Sequence, residues 1–169
     1  MGFRIVKRLR QKGAYLITIF AINLLMNACG GSEKASPELI DQMESDWRSQ
    51  AIQDYHIIVD VERPGELRRN DVTVVDGRVT KGVLQYWETH EKRWSNRVIL
   101  NESQAIAFSV PGLFDTVRSE LTNGLRPVVR VVLGKNPPYI KKIILGQISQ
   151  NNHSVADSQA SIIVQKFEH

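Results

Sequence analysis

Two hydrophobic periods succeed one another along the chain. From Pro37 onward, Leu39, Met43, Trp47 and Ala51 recur every four residues, with Ile40 and Glu44 flanking them, which is the single apolar stripe of an amphipathic helix. Ser36-Pro37-Glu38 supplies its start: a hydroxyl cap, a proline at the first helical position and an acid near the positive end of the dipole. The helix is expected to stop near Gln53. The period then falls to two, with Tyr55, Ile57, Val59 and Val61 alternating against His56, Ile58, Asp60 and Glu62, as in a half-buried strand. Arg63-Pro64-Gly65-Glu66 has turn chemistry. A second strand is expected over Asp71 to Val75, and Asp76-Gly77 is a two-residue hairpin signal leading into Arg78 to Thr80 and on through Gly82 to Trp87.

The segment from Glu88 to Ser103 mixes charged residues with Trp94 and Val98-Ile99-Leu100 and obeys neither period. Ser109-Val110-Pro111 opens a second helix carrying Leu113, Phe114, Val117 and Leu121, and Asn123-Gly124 suits the left-handed turn that ends one. Val128 to Leu133 is almost continuously apolar and β-branched, a buried strand. Two more strands are expected, Tyr139 to Ile148 and Gln159 to Phe167, separated by the polar loop Ser149 to Ser158. The element order predicts an α+β fold, an antiparallel sheet of about five to six strands with two helices packed on one face.

Ahead of the domain lies a different composition. Met1 to Gly13 carries Arg4, Lys7, Arg8, Arg10 and Lys12 with no acid, and Ala14 to Met26 is a 13-residue apolar run. A membrane-spanning helix needs about 20 apolar residues, so this is the layout of a signal peptide. The next residues are Asn27-Ala28-Cys29-Gly30-Gly31-Ser32, and this junction resembles the lipobox of bacterial lipoproteins, in which a small residue precedes a cysteine that becomes the acylated first residue. Met26 and Asn27 depart from the commonest residues of that motif. The resemblance implies a signal peptide over residues 1–28 and lipid attachment at Cys29; the short, small and polar residues that follow read as a tether over 29–35, and the remaining 36–169 as one domain. Each buried acyl CH₂ contributes about 0.8 kcal/mol, so two or three chains give a stable anchor where one is marginal. Gly30 is not Asp, which by the same analogy implies the outer membrane, facing the periplasm, in a cell with two membranes.

Charge changes meaning once that segment is set apart. The whole chain of 169 residues has 22 Lys plus Arg against 18 Asp plus Glu, but the five N-terminal bases account for the excess, leaving 17 bases and 18 acids from Cys29 onward. No basic surplus remains for a nucleic-acid partner. One cysteine excludes an intramolecular disulfide framework.

Candidate chemistry is sparse. His90-Glu91-Lys92-Arg93-Trp94 starts like a zinc-protease helix motif, but Trp94 stands where the second histidine is needed. His56, His153 and His169 are far apart in the sequence, and no metal or other cofactor is expected. There is no Gly-x-Ser-x-Gly elbow and no phosphate-binding Gly-rich loop ending in Gly-Lys-Ser or Gly-Lys-Thr. Asp54, Asp60, Asp71, Asp76 and Asp115 are expected at strand borders, turns or helix starts, where solvation and capping explain them. Trp87 and Trp94 fall in or beside the charged insertion and are the candidate partner contacts, since aromatics are favoured at interaction hot spots. Packing across the back of the sheet as core is the other explanation for them.

Trp47 with Tyr55, the run Val72 to Val79, Val110 to Val117, and Pro138 ahead of an apolar strand form an ordered set over roughly residues 47–145. The set resembles an uncharacterised family of small bacterial secreted or lipid-anchored proteins, a domain of unknown function. That resemblance implies an α+β fold and an envelope location and brings no catalytic residues. Many members carry a cysteine pair where Val61, Glu62, Arg63 and Pro64 stand here. The expected function is therefore a lipid-anchored, non-enzymatic binding module. Its partners are the membrane, through the anchor, and an envelope protein or glycan. The alternatives are a carboxylate-based hydrolase with dispersed residues, or a small-molecule carrier whose cleft Trp47 and Tyr55 would line.

Overall fold

The structure is a computed structural model that describes residues 31–151 and 153–169. The chain divides into two units, Met1–Gly31 and Ser32–His169, of which the second is described below. The expected signal peptide and Cys29 lie outside the described residues.

The element order is β1 (Glu33–Lys34), α1 (Pro37–Ser49), β2 (Tyr55–Arg63), β3 (Glu66–Val75), β4 (Arg78–Glu88), β5 (Arg93–Trp94), β6 (Val98–Ile99), α2 (Glu102–Ala105), a 3-10 turn (Ile106–Phe108), α3 (Val110–Asn123), β7 (Val129–Leu133), β8 (Ile140–Leu145), β9 (Ser149–Gln150), β10 (His153–Ser154) and β11 (Ala160–Glu168). Nine strands form one sheet in the order β1-β7-β8-β11-β2-β3-β4-β5, with β6 also paired to β4, and the described pairings are antiparallel. The α+β class is as expected. The sheet is larger than the five to six strands expected, and the described residues hold three α-helices, not two. The additions are short: β1, β5 and β6 have two residues each and α2 has four, too few to leave a period in the sequence.

Local chemistry accounts for the element ends. Ser36 Oγ accepts the Leu39 N–H at 3.2 Å and Ser109 Oγ accepts the Gly112 N–H at 3.2 Å, each with a proline in the first turn that follows. Gly124, at φ +61°, takes the left-handed position that ends α3. α1 ends four residues before Gln53 because Ala51 turns left-handed at φ +51°, so Ala51 leaves the stripe and is exposed. Asp76 and Gly77 both have positive φ, as the tight hairpin between β3 and β4 requires. Glu33 and Lys34, within the segment expected to be tether, pair with Val131 and Arg130 of β7. Ala35 donates its N–H to Val129 O at 2.9 Å and is buried.

The core groups Ile40, Met43 and Trp47 of α1 and Leu113, Phe114 and Val117 of α3 with strand residues that include Ile57 and Val59 of β2, Val72 of β3, Val131 of β7 and Ile143 of β8. Trp47 and Tyr55 belong to this cluster: their rings meet edge to face at 5.6 Å, and Phe167 lies 5.8 and 5.5 Å from them. The Tyr55 hydroxyl accepts the Val110 N–H at 3.2 Å, and burial pushes its pKa above the usual tyrosine value. α1 and α3 are joined by Arg118, which contacts the buried Glu44 and donates to Asp41 at 2.9 Å; hydrogen bonding to Glu44, then Asp41, raises the guanidinium pKa further.

One glycine is required by close approach. At Gly82 of β4, an added Cβ would lie 2.4 Å from the Ala105 Cβ and 3.2 Å from the Leu100 Cβ, so α2 rests directly on the strand backbone. Gly82→Ala is expected to lower stability by about 1–3 kcal/mol through overpacking, read as an earlier urea-unfolding midpoint. A variant as stable as the parent would mean that α2 does not rest on β4.

Candidate functional site

Alternation places His56, Ile58, Asp60 and Glu62 of β2 on the sheet face opposite Ile57 and Val59. Cross-strand register extends that face outward. Asp60 stands opposite Arg69, which stands opposite Gln85; one step along, Glu62 faces Leu67, and Trp87 faces Trp94 across β4 and β5. Aliphatic and charged side chains are interspersed: Ile163 of β11 lies between Asp60 and Lys142, and Ile58 stands opposite Asp71.

The centre of this face is an ion pair. Arg69 Nε and an Nη nitrogen reach the two Asp60 carboxylate oxygens at 2.8 Å each, a two-pronged geometry that suits planar guanidinium to planar carboxylate. Asp60 is 3% exposed. It lies in mid-strand, not at the strand border, turn or helix start expected for it, and its charge is tolerated because Arg69 neutralises it. The Asp60 hydrogen bonds hold the Arg69 pKa above the ordinary arginine value. The same guanidinium sits 4.3 Å from the centre of the Trp94 ring, a cation–π contact worth about 0.5–2 kcal/mol. Trp94 in turn meets Trp87 edge to face at 5.4 Å. Asp60, Arg69, Trp94 and Trp87 thus form one chain of contacts in which both tryptophans are half-buried.

The insertion that obeys neither period is built around this chain. Ser95 locks it to β4, accepting the Tyr86 N–H on its hydroxyl at 2.9 Å and returning its own N–H to Tyr86 O at 2.8 Å, while Gln85 Nε2 donates to Ser95 O at 2.9 Å. The hairpin tip holds Glu88, Glu91 and Arg93, with Glu88 and Arg93 3.2 Å apart. Val98 and Ile99, on the edge strand β6, are 50% and 73% exposed.

The other candidates are dispersed. His90 sits exposed at the hairpin turn, His153 in β10 and His169 beside Phe167 at 5.5 Å. His56 approaches Asp71 at 2.8 Å and Glu168 at 3.6 Å. Hydrogen bonding to Lys166 and, in smaller measure, His56 lowers the Glu168 pKa. Asp54 accepts the Asp76 N–H at 2.8 Å, and Asp115 lies 3.4 Å from Arg118. Among the described residues, no group of three His, Cys, Asp or Glu side chains could hold a metal ion. Trp47 and Tyr55 are packed in the aromatic core. Cys29 lies outside the described residues. Sequence reasoning singled out the two tryptophans, weighed Asp60 only as a solvated or capping acid and passed over Arg69, which lies ahead of the strand expected to begin at Asp71.

The chain matches no known family model, and searches against curated proteins and solved structures likewise find no match.

Removing Arg69 strands a buried carboxylate, which costs more than losing an exposed pair. Arg69→Met is expected to destabilise the fold by about 2 kcal/mol, and Arg93→Gln, on the exposed hairpin tip, by less than about 0.5 kcal/mol. Chemical denaturation of the two variants checks this; equal losses would contradict the assigned roles.

Proposed function

We propose that this is a lipid-anchored cell-envelope protein that binds another envelope component, protein or glycan, without catalysing a reaction. In this reading both long helices cover one face of the sheet and leave the other, with Trp87 and Trp94, to the partner. The observation that carries it is the half-exposed Trp87–Trp94 pair backed by Arg69. Tryptophan and arginine are the residues most enriched at interaction hot spots, and a guanidinium already fixed by Asp60 loses little conformational freedom on binding. The resemblance to the uncharacterised secreted or lipid-anchored family accords with the same location.

Anchorage rests on the basic stretch, the short apolar run and Cys29. The folded unit starts at Ser32, whose hydroxyl accepts from Arg130 Nε at 3.0 Å. Three peptide units from Cys29 to Ser32 reach at most roughly 10 Å, so an acylated Cys29 would keep the domain close to the bilayer surface. With Gly30 after the cysteine, the outer membrane is the destination in a cell that has two.

A clickable fatty-acid analogue fed to cells is expected to label the protein, and Cys29→Ala to abolish the label and release the protein from membranes; equal label in both forms would overturn the anchor. A photo-crosslinking amino acid at position 94 is expected to capture a discrete envelope component in intact cells, whereas the same group at exposed Leu125, in the loop after α3, is not. Indistinguishable crosslinking at the two positions would overturn the binding face.

A further inference from the structure

A second site lies away from the tryptophans, where α3 meets the Arg63–Glu66 end of the sheet. A hollow of about 210 Å³ opens there. Its apolar walls include Val61, Ile162 and Leu145 from the strands, and Phe108 and Leu113 from the 3-10 turn and α3.

Arg63 and Arg68, on adjoining strands, also line the hollow. Arg63 makes no ion pair among the described residues. Arg68 is only loosely engaged: its Nε lies 3.8 Å from Glu66 Oε1, both atoms are buried without a hydrogen-bond partner, and its guanidinium carbon is 5.8 Å from the Phe108 ring centre. The nearby acid Glu120 is already paired with Arg126 at 2.9 Å. Counting Glu66 as well, the charged groups at the hollow leave one positive charge in excess. An adjoining groove shares Ala107, Thr116 and Glu120 with the hollow but has Asp115, 3.4 Å from Arg118, and no arginine in its own lining.

From this geometry we infer that the hollow binds a small amphipathic carboxylate. The carboxylate accepts hydrogen bonds from Arg63 and Arg68, and a hydrocarbon body lies against Phe108, Leu113, Leu145 and Ile162. Binding supplies the acceptor that buried Arg68 Nε lacks. The site is independent of membrane anchorage and of the tryptophan face.

The test uses the purified full chain, irradiated with a diazirine-bearing octanoate and mapped by mass spectrometry. Saturable labelling is expected on the peptides containing residues 107–113 and 160–162. Arg63→Gln, an exposed change at a strand end, should raise the half-saturating concentration about tenfold, the loss of one charge-assisted contact. Arg68→Gln should do the same, while Arg93→Gln should change nothing. The neutral methyl amide of the same probe should not compete. Labelling spread over the surface, equal competition by the amide, or labelling unchanged in Arg63→Gln would overturn the proposal.

Discussion

The ion pair between Asp60 and Arg69 constrains the outward face of this protein. A carboxylate buried in the middle of a nine-stranded sheet needs a cation, and the observed register of β2 and β3 sets Arg69 directly opposite Asp60, where it makes both hydrogen bonds. A slip of one residue would turn Ile57 and Val59 outward and carry Asp60 and Glu62 into the apolar core. Because Arg69 is held in one orientation, its outer surface is available to Trp94. The tryptophan pair therefore inherits its position from a pair formed two strands away.

Core and outward face divide the work between them. Phe114, Ile40 and Ile57 are fully buried and supply nonspecific hydrophobic drive. Arg118, joining Glu44 and Asp41 of α1 to α3, and Asp60 with Arg69 supply directional constraints that pin helix to helix and strand to strand. The two proposed binding regions occupy different parts of this frame: the tryptophan pair on the outward face, and the arginine-rimmed hollow between α3 and the sheet.

The sequence made the regular elements legible wherever one period ran long enough. Ser36-Pro37 and Ser109-Val110-Pro111 marked helix starts, Asp76-Gly77 marked a hairpin, and the alternation from Tyr55 marked β2. The first half of β3 was hidden because Glu66 to Asn70 is polar at every position but Leu67, yet it pairs with β2 through Arg63 to Val59. Asn70 is buried with its amide donating to Val59 O at 3.3 Å, a role that only the partner strand reveals. Asp60 looked solvated for the same reason: its partner Arg69, and the Trp94 that stacks on Arg69, lie 9 and 34 positions further along the chain. Trp87 and Trp94 were conspicuous by residue type, but their pairing depended on β5, whose two residues carry no period.

A double-mutant cycle on Asp60→Leu and Arg69→Met tests the central constraint most directly. If the pair organises the outward face, the double variant should be more stable than Arg69→Met alone, because the stranded charge is gone, with a coupling of about 1–3 kcal/mol. Additive effects of the two substitutions would mean that Asp60 and Arg69 do not depend on each other, contradicting the account at its centre.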